Sequence, residues 1–266
     1  MENVVTLNNG VEMPRIGYGV YQIPSSRAET CVLDALSAGY RSVDTAQCYG
    51  NERAVGRAIR RSGIPRSEIF VTTKLWGGRG YKDTVSSIDD SLQALGTDSI
   101  DLLLIHEPTG DFREIYRAME DAYHAGKLRA IGVANFLEGD FKSLLGTAKI
   151  VPAVDQIETH VFRQQKAMGR LLNEHGTVHE AWSPLACGRN GFFENPVLRE
   201  IGRSHGKSNA QVGLRFLFQQ GIVIIPKTTH AERMRENLDL LDFKLDKDEM
   251  LRLAVLDRGR SLFGWW

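Results

Sequence analysis

Four side chains of complementary chemistry fall near the ends of three neighbouring strands that the sequence predicts. They are a carboxylic acid, a phenol, an amine and an imidazole: Asp44, Tyr49, Lys74 and His106. Asp44 ends the second predicted strand and Tyr49 follows it, whereas Lys74 ends the third strand and His106 the fourth. In a barrel of parallel strands the carboxyl ends meet at one rim, so we expect these groups to converge there.

The chemistry that these groups suit is the protonation of a carbonyl oxygen. An isolated tyrosine has a pKa of about 10 and is a poor acid at neutral pH, but a nearby ammonium such as that of Lys74 stabilises the phenolate and lowers the pKa. Asp44 would hold Lys74 in place, and His106 would donate a hydrogen bond to a substrate oxygen. The four groups would polarise a carbonyl and hand it a proton. Because they cannot supply a hydride, the arrangement predicts a cofactor.

Each of these residues also has an ordinary structural interpretation when it is taken alone. Asp44 suits a helix cap or an ion pair, Lys74 a surface charge, and His106 a buried histidine with satisfied hydrogen bonds. The catalytic interpretation therefore depends on finding all four compatible groups at the ends of three successive strands.

Short apolar runs alternate with helical segments along the chain, as expected of parallel strands that are covered on both faces. Eight such units predict an α/β fold, a (β/α)8 TIM barrel formed by a single domain over residues 1–266. A doubly wound sheet usually needs a glycine-rich fingerprint after its first strand, and the segment 17–19 does not provide it. The eight predicted strands are 16–20, 41–44, 69–74, 102–106, 130–133, 153–157, 178–182 and 222–225.

Local patterns predict further elements around the barrel. The segment Asn8-Asn9-Gly10 favours a tight turn, so residues 4–13 should form an N-terminal hairpin that closes the bottom of the barrel. Ser26 and Glu29 have the spacing of a capping box at the start of the first helix. A later helix should bury one apolar stripe, made of Val85, Ile88, Leu92 and Leu95.

The composition is that of an ordinary globular protein, with 42% hydrophobic and 25% charged residues. The 33 basic residues balance the 33 acidic ones, so net charge points to neither nucleic acid nor an anionic membrane as a partner. Three scattered cysteines make a disulfide framework or a structural zinc site a poor interpretation. With no signal-peptide pattern and no long apolar run, the sequence predicts a cytoplasmic protein.

The segment VDTAQCYGNE over residues 43–52 resembles the first signature of the aldo-keto reductase superfamily. Lys74 within VTTKLW and His106 within LLLIH match the other catalytic positions, and the resemblance extends from the hairpin to about residue 257. It implies a barrel, an Asp–Tyr–Lys–His tetrad, NADPH as cofactor and a small carbonyl compound as substrate. The chain is similar to the bacterial branch that includes 2,5-diketo-D-gluconate reductases and broad aldehyde reductases.

The same resemblance implies which residues hold the nicotinamide. The segment GVANF over residues 132–136 is similar to the family's GVSNF, in which serine and asparagine bind the carboxamide. Asn135 matches, whereas Ala134 replaces the serine and so removes one hydrogen bond, worth about 1 kcal/mol. Gln156 matches a glutamine that meets the carboxamide, next to Asp155 where asparagine is usual. Trp182 takes the place of the aromatic residue that stacks on the nicotinamide, although a core tryptophan is the alternative. Further cofactor contacts are predicted for Gly19, Val20, Ser183 and Leu185.

A basic cluster after the eighth predicted strand opens a helix, and a helix N-terminus with nearby cations suits a phosphate. By resemblance, Lys227, Thr228 and Arg233 grip the adenosine 2′-phosphate, while Glu236 and Asn237 meet the adenine. A phosphate-gripping arginine favours NADPH over NADH. The alternative for such a Lys–Arg pair is an ordinary solvated helix face.

The substrate pocket should be bordered by Tyr21, Trp76 and Glu107 together with His106, by the same resemblance. Trp76 has packing as its alternative role. We hypothesise that the negative charge of Glu107 disfavours strongly anionic substrates. The terminal Trp265 and Trp266 either fold over the pocket or pack on the barrel.

Two other functions remain open at the level of sequence. Some relatives of the family serve as non-catalytic binding subunits that retain the cofactor, and the tetrad does not exclude such a role. A metal-dependent barrel hydrolase would use ligands such as Glu158 and His160 with His106 and Asp44, but no His-x-His pattern lies on the early strands. The expectation is no metal, and a monomer by resemblance.

Overall fold

A two-stranded hairpin precedes the barrel in the computed structural model, which describes residues 3–78 and 80–264. Strands β1 (Val4–Thr6) and β2 (Glu12–Pro14) pair in antiparallel fashion. Gly10 in the connecting turn has a φ of 84°, a conformation that glycine adopts without strain. The predicted hairpin is therefore confirmed.

Eight parallel strands follow and form one sheet in chain order. A parallel bridge between Ile16 and Ile224 joins the first strand region to the last, so the sheet closes into a barrel. All eight predicted strands are present, and the (β/α)8 fold is confirmed. The barrel strands are β3 (Tyr18–Gly19), β4 (Ser42–Asp44), β5 (Phe70–Leu75), β6 (Leu102–Ile105), β7 (Ile131–Ala134), β8 (Val154–Glu158), β9 (Val178–Trp182) and β10 (Val223–Ile224).

Helices connect the strands, with two helices between β9 and β10 and two more after β10. Their apolar faces pack on the outer side of the sheet, which is why the strands are apolar on both faces. Within the two described ranges no helix is long and apolar enough to cross a membrane. The helices are α1 (Ser25–Ala38), α2 (Glu52–Arg61), α3 (Tyr81–Leu95), α4 (Phe112–His124), α5 (Glu138–Leu145), α6 (Lys166–Glu174), α7 (Pro196–His205), α8 (Asn209–Gln219), α9 (Ala231–Leu238) and α10 (Lys247–Ala254).

The hairpin closes the end of the barrel at which the strands begin. Leu7 and Met13 are buried in one apolar cluster with Phe70, Leu102 and Val223, which are the first residues of their strands. The side chain of Asn8 also donates to backbone carbonyls in the loop before β8. The opposite end, where the strands finish, is left for the functional groups.

The predicted capping box at the start of α1 is wrong. The helix begins at Ser25 with Pro24 as its N-cap, and no side chain caps it. Ser26 is therefore already inside the first turn. Glu29 instead forms ion pairs with Arg57 and Arg61 of α2, since these two arginines lie four residues apart on one helix face.

The predicted stripe on α3 is also partly wrong. Ile88 and Leu95 are buried, but Val85 is 36% exposed. The buried face is completed by the small hydroxyl residues Thr84, Ser87 and Ser91. Apolar spacing alone could not reveal this, because Ser87 and Ser91 lie against a polar neighbour, Gln47 of the turn that carries Tyr49.

Candidate active site

A single 3-10 turn, Gln47–Tyr49, places the phenol at the open end of the barrel. Gln47 fixes this turn to α3, since its amide nitrogen donates to the Ser87 carbonyl at 2.8 Å and to Ser91 Oγ at 2.9 Å. Behind the turn, the amide of buried Asn51 donates to two carbonyls of the loop after β3. The position of Tyr49 is thus determined by polar contacts with two neighbouring βα units.

Asp44 and Lys74 form a buried ion pair beneath this turn. Lys74 Nζ lies 2.6 Å from Asp44 Oδ1 and also donates to the carbonyl of Thr45 at 3.0 Å. Burial alone would lower the pKa of Lys74, but the adjacent carboxylate of Asp44 outweighs burial and leaves that pKa raised. Lys74 therefore stays a cation at any physiological pH.

The Tyr49 ring lies over this pair, with Lys74 Nζ 5.2 Å from the ring centre. The charge of Lys74 lowers the pKa of Tyr49, in the direction expected from the sequence. Burial acts more strongly in the other direction and raises the pKa of Tyr49 to about 12. The expectation of a net lowered pKa is therefore wrong, because burial destabilises the phenolate by more than the nearby Lys74 ammonium stabilises it.

His106 follows β6 and completes the group. Its ring meets that of Tyr49 edge-on, with ring centres 5.7 Å apart. Burial, assisted by the charge of Lys74, lowers the pKa of His106 to about 3, so the imidazole is neutral. Cys48 Sγ lies 3.4 Å from His106 Nδ1. If the thiol donates to Nδ1, the proton of the neutral ring resides on Nε2.

The predicted substrate residues surround these groups. Tyr21 and Trp76 are about half exposed at the rim, and their rings lie 5.0 Å from Tyr49 and 5.2 Å from His106 respectively. Glu107 Oε1 accepts a hydrogen bond of 3.0 Å from Asn135 Nδ2. Its other oxygen is buried, and no described residue donates to it. Burial raises the pKa of Glu107 to about 7.

Asn135 and Trp182 lie together on the other side of the mouth. Asn135 has a φ of 62° and donates to the carbonyl of His106 at 3.0 Å. The indole nitrogen of Trp182 donates to Asn135 Oδ1 at 2.7 Å. Ala134, the last residue of β7, is buried beside them and offers no hydroxyl group. The sequence reasoning did not predict the direct bond between Asn135 and Glu107.

Gln156 connects Asp44 to a residue that the sequence analysis missed. Gln156 Nε2 lies 2.9 Å from Asp44 Oδ2 and 2.8 Å from Glu180 Oε2. Glu180 is buried inside the barrel two residues before Trp182 on the same strand. Alternate residues of a strand share a face, so Glu180 is expected on the same face as Trp182, which the sequence had already placed in the site. This spacing was the signal available in the sequence.

The predicted phosphate residues follow β10 at the same end of the barrel. The Tyr18 hydroxyl donates to the carbonyl of Thr228 at 2.6 Å, which fixes the segment that carries exposed Lys227. Arg233 is exposed in the first turn of α9. Gly19 lies so close to this segment that a Cβ would come 3.3 Å from the Ile225 carbonyl oxygen. Close approach of the backbone thus favours glycine here.

The other predicted cofactor residues occupy mixed environments. Val20 is buried and its nitrogen donates to the carbonyl of Asp44, while Asn237 is buried in α9. Glu236 accepts from the hydroxyl of Ser208 and is already engaged. Ser183 has a φ of 52° and Leu185, partly buried, follows it. Asp155 faces away from Gln156, fully buried, and burial holds its pKa well above the usual range.

The C-terminal segment reaches the mouth of the barrel through Leu262 and Phe263. From the sequence alone, only Trp265 and Trp266 were candidates for this position. The Leu262 nitrogen donates to Glu158 Oε1 at 3.0 Å, and the Phe263 ring lies 5.2 Å from that of Trp182. The guanidinium of Arg189 lies over the Phe263 ring, 4.4 Å from its centre. Trp265 and Trp266 lie outside the described residues.

The ligand set imagined for a metal-dependent hydrolase is engaged in other contacts. Glu158 accepts from His160 Nε2 at 3.0 Å and from Arg163 at 2.7 Å. Asp44 is paired with Lys74. Within residues 3–78 and 80–264, no group of three potential metal ligands comes together.

A comparison with known families decides what kind of barrel this is. Residues 15–258 match the Aldo/keto reductase family. The chain belongs to this family. The match spans the eight barrel strands and the predicted phosphate segment, so the predicted catalytic and cofactor residues lie within it.

Several characterised members resemble this aldo/keto reductase along its full length. It is 43% identical to the 9,11-endoperoxide prostaglandin H2 reductase of Trypanosoma cruzi, over 98% of this chain and 94% of that protein. It is 41% identical to the glyoxal reductase of Bacillus subtilis, over 98% of this chain and 95% of that protein. The crystal structure of Bombyx mori aldo-keto reductase AKR2E4 in complex with NADP superimposes with a TM-score of 0.91 at 31% identity, covering 97% of this chain and 93% of that one.

Proposed function

We propose that this aldo/keto reductase uses NADPH to reduce an aldehyde or ketone to an alcohol, with Tyr49 as the proton donor. The observation that carries the proposal is the buried Lys74–Asp44 ion pair beneath the Tyr49 ring, next to a neutral His106. A buried cation at this place has a clear use, because it stabilises the phenolate that remains once the proton has left. Family membership supports the same reaction.

The residues around the mouth fit a nicotinamide dinucleotide. Both N–H groups of Gln156 are directed to carboxylates, and none of the described residues donates to its Oε1, which suits a carboxamide N–H. Trp182 offers a flat indole face held by Asn135. When bound, NADPH supplies the hydride that these side chains cannot. The relative from Bombyx mori was crystallised with NADP.

Lys227, Thr228 and Arg233 would hold the 2′-phosphate of this cofactor. Lys227 and Arg233 are exposed at the N-terminal end of α9 and have no ion-pair partner among the residues that the structure describes. An uncompensated pair of cations at a helix N-terminus attracts a phosphate dianion. The second phosphate-binding cation supports NADPH rather than NADH.

His106 would orient the substrate. Its neutral ring can donate one hydrogen bond, and donation from the Cys48 thiol to Nδ1 would leave the proton on Nε2. A carbonyl oxygen that accepts from Nε2 would lie beside the Tyr49 hydroxyl, because the two rings are in edge contact. This bond polarises the carbonyl before the proton is transferred.

Tyr49 would then give its proton to the oxygen of the reduced carbonyl. A phenol with a pKa of about 12 is a weak acid, but an alkoxide is a far stronger base and takes the proton readily. The resulting phenolate lies next to the ammonium of Lys74, which Asp44 holds in place. Lys74 thus stabilises the state in which Tyr49 has lost its proton.

The substrate is proposed to be a small carbonyl compound without a strong negative charge. Glu107 contributes a carboxyl group at the predicted pocket, and above its pKa of about 7 its negative charge disfavours anionic substrates. Relatives act on different compounds, since one is a glyoxal reductase and another a prostaglandin H2 reductase. We therefore expect a broad specificity, limited mainly by charge.

The test is to follow NADPH oxidation across sugars, glyoxals, keto esters and aromatic aldehydes. We expect turnover with several neutral aldehydes, no loss of activity with a chelator, and a Tyr49→Phe variant that still binds NADPH but has a kcat about 100- to 10,000-fold lower. The proposal fails if the wild-type protein oxidises NADPH with none of these compounds. We also expect a monomer in the cytoplasm, which light scattering and cell fractionation can check.

A further inference from the structure

The amide of Gln156 lies between two carboxyl groups inside the barrel. Its nitrogen is 2.9 Å from Asp44 Oδ2 and 2.8 Å from Glu180 Oε2. All three residues are at least 97% buried. Asp44 already belongs to the proposed catalytic group, but Glu180 has no role in the proposed reaction.

The two carboxyl groups fix the orientation of the Gln156 amide. A glutamine amide has two N–H donors and one oxygen acceptor. Both donors of Gln156 are used by the carboxyl groups, so the amide cannot turn over without breaking two buried hydrogen bonds. Its oxygen is the group left for the nicotinamide carboxamide. Glu180 and Asp44 together therefore set the orientation of a predicted cofactor contact.

The charges around Glu180 favour its protonated form at neutral pH. The charged groups that face Glu180 within the described residues are Asp44 and Lys74. Lys74 supplies one positive charge, and Asp44 lies 2.6 Å from it and already balances that charge. Burial, reinforced by the charge of Asp44, raises the pKa of Glu180 to about 8. The interior is thus neutral below this pH and singly negative above it.

We propose that Glu180 is a positioning residue that holds the Gln156 amide for the nicotinamide and whose proton is linked to the oxidation state of the bound cofactor. The linkage rests on the proposed NADPH function. The oxidised nicotinamide ring is positively charged and the reduced ring is neutral. An ionised Glu180 therefore favours the oxidised form, and binding of the oxidised form favours loss of the proton.

The test is the ratio of the NADPH and NADP+ dissociation constants, measured by fluorescence or calorimetry on both sides of pH 8. In the wild-type protein we expect the ratio to rise with pH by about tenfold, the factor that corresponds to one pKa unit of coupling. In Glu180→Gln the ratio should stay constant, because this side chain can still accept from Gln156 but cannot ionise. A variant that retains the wild-type pH dependence overturns the proposal.

Two further variants separate positioning from folding. Glu180→Leu removes the acceptor, so both nucleotides should bind about fivefold more weakly, the worth of one hydrogen bond. Wild-type affinity for both nucleotides in a folded Glu180→Leu protein counts against the positioning role. Glu120→Gln is the matched control, since Glu120 is a buried glutamate on α4 that accepts from two backbone N–H groups away from the site. It should keep the wild-type pH dependence.

A direct measurement on the protein without nucleotide is independent of the proposed function. Infrared difference spectra across pH 8, recorded in a Glu107→Gln background because Glu107 titrates near 7, should show the loss of a protonated carboxyl band, and the band should be absent once Glu180→Gln is added. The same band in Glu180→Gln would show that the proton lies elsewhere and would overturn the proposal. If the wild-type protein binds neither nucleotide, the proposed function fails, and the infrared result still decides the protonation of Glu180.

Discussion

Removal of the Tyr49 hydroxyl should strongly slow the reaction and leave the site otherwise intact. In Tyr49→Phe the ring keeps its contacts with Tyr21 and His106, whose ring centres lie 5.0 Å and 5.7 Å away. Lys74 loses one neighbour but retains Asp44 Oδ1 and the carbonyl of Thr45 as acceptors. The cost in stability should therefore not exceed about 1 kcal/mol, the value of one hydrogen bond.

The effect on the rate should be much larger than the effect on stability. A positioned general acid contributes a factor of about 100 to 10,000, which corresponds to about 3 to 5 kcal/mol of transition-state stabilisation. We expect kcat of Tyr49→Phe to fall by such a factor, while the Kd for NADPH changes by less than about twofold.

The assay combines steady-state NADPH oxidation with fluorescence titration of NADPH and denaturant unfolding. Tyr21→Phe is a matched comparison, because it removes a phenolic hydroxyl from a ring in contact with Tyr49. We expect it to alter KM rather than kcat. If Tyr49→Phe retained kcat within a few-fold of the wild type, Tyr49 could not be the proton donor.

Three further variants test neighbouring parts of the site. Lys74→Met leaves Asp44 buried and unpaired, so unfolding should become easier by about 3 kcal/mol, and the rate should fall with an altered pH profile. Because the pKa of Lys74 is raised above 10.5, this difference in stability should be constant around neutral pH and disappear only in strong alkali. A stability difference that persisted unchanged in strong alkali would contradict the Lys74–Asp44 pairing. Arg233→Ala should weaken NADPH binding about tenfold and spare NADH, and equal losses would argue against a 2′-phosphate contact. In Glu107→Gln the preference for benzaldehyde over 4-carboxybenzaldehyde should no longer grow as the pH rises through 7, and a preference that still grows would exclude Glu107 as its cause. Because folding raises the pKa of Glu107 from 4.5 to about 7, the wild type loses stability as the pH rises between these values, so the variant should gain relative stability over that range and keep it above pH 7 in unfolding assays.

Positions at strand ends predicted which reactive side chains come together. Asp44, Lys74 and His106 each lie at the end of a strand, and parallel strands in a barrel bring their carboxyl ends together whatever the loops do. The same reasoning predicted the barrel itself, since strands buried on both faces show as apolar runs. The residues Asn135 and Trp182 were predicted by resemblance, and the structure brings them into direct contact.

Features that depend on partners far apart in the chain were not predictable in this way. Glu29 was assigned to a cap, but two arginines from the next helix bind it instead. Val85 was assigned to a buried stripe, but α3 turns its hydroxyl residues towards Gln47. In both cases a tertiary contact outweighed a local pattern that is worth only about 1 kcal/mol or less.

The sequence by itself determined the barrel, the order of the strands and the end at which the reactive groups gather, because these follow from short-range patterns repeated along the chain. Tertiary structure alone decided that Glu180 shares Gln156 with Asp44, that Phe263 reaches Trp182, and that Tyr49 has a raised pKa. The physical reason is that burial and electrostatics depend on the whole surrounding volume. Residues remote in the chain fill that volume, and no local window of sequence contains them.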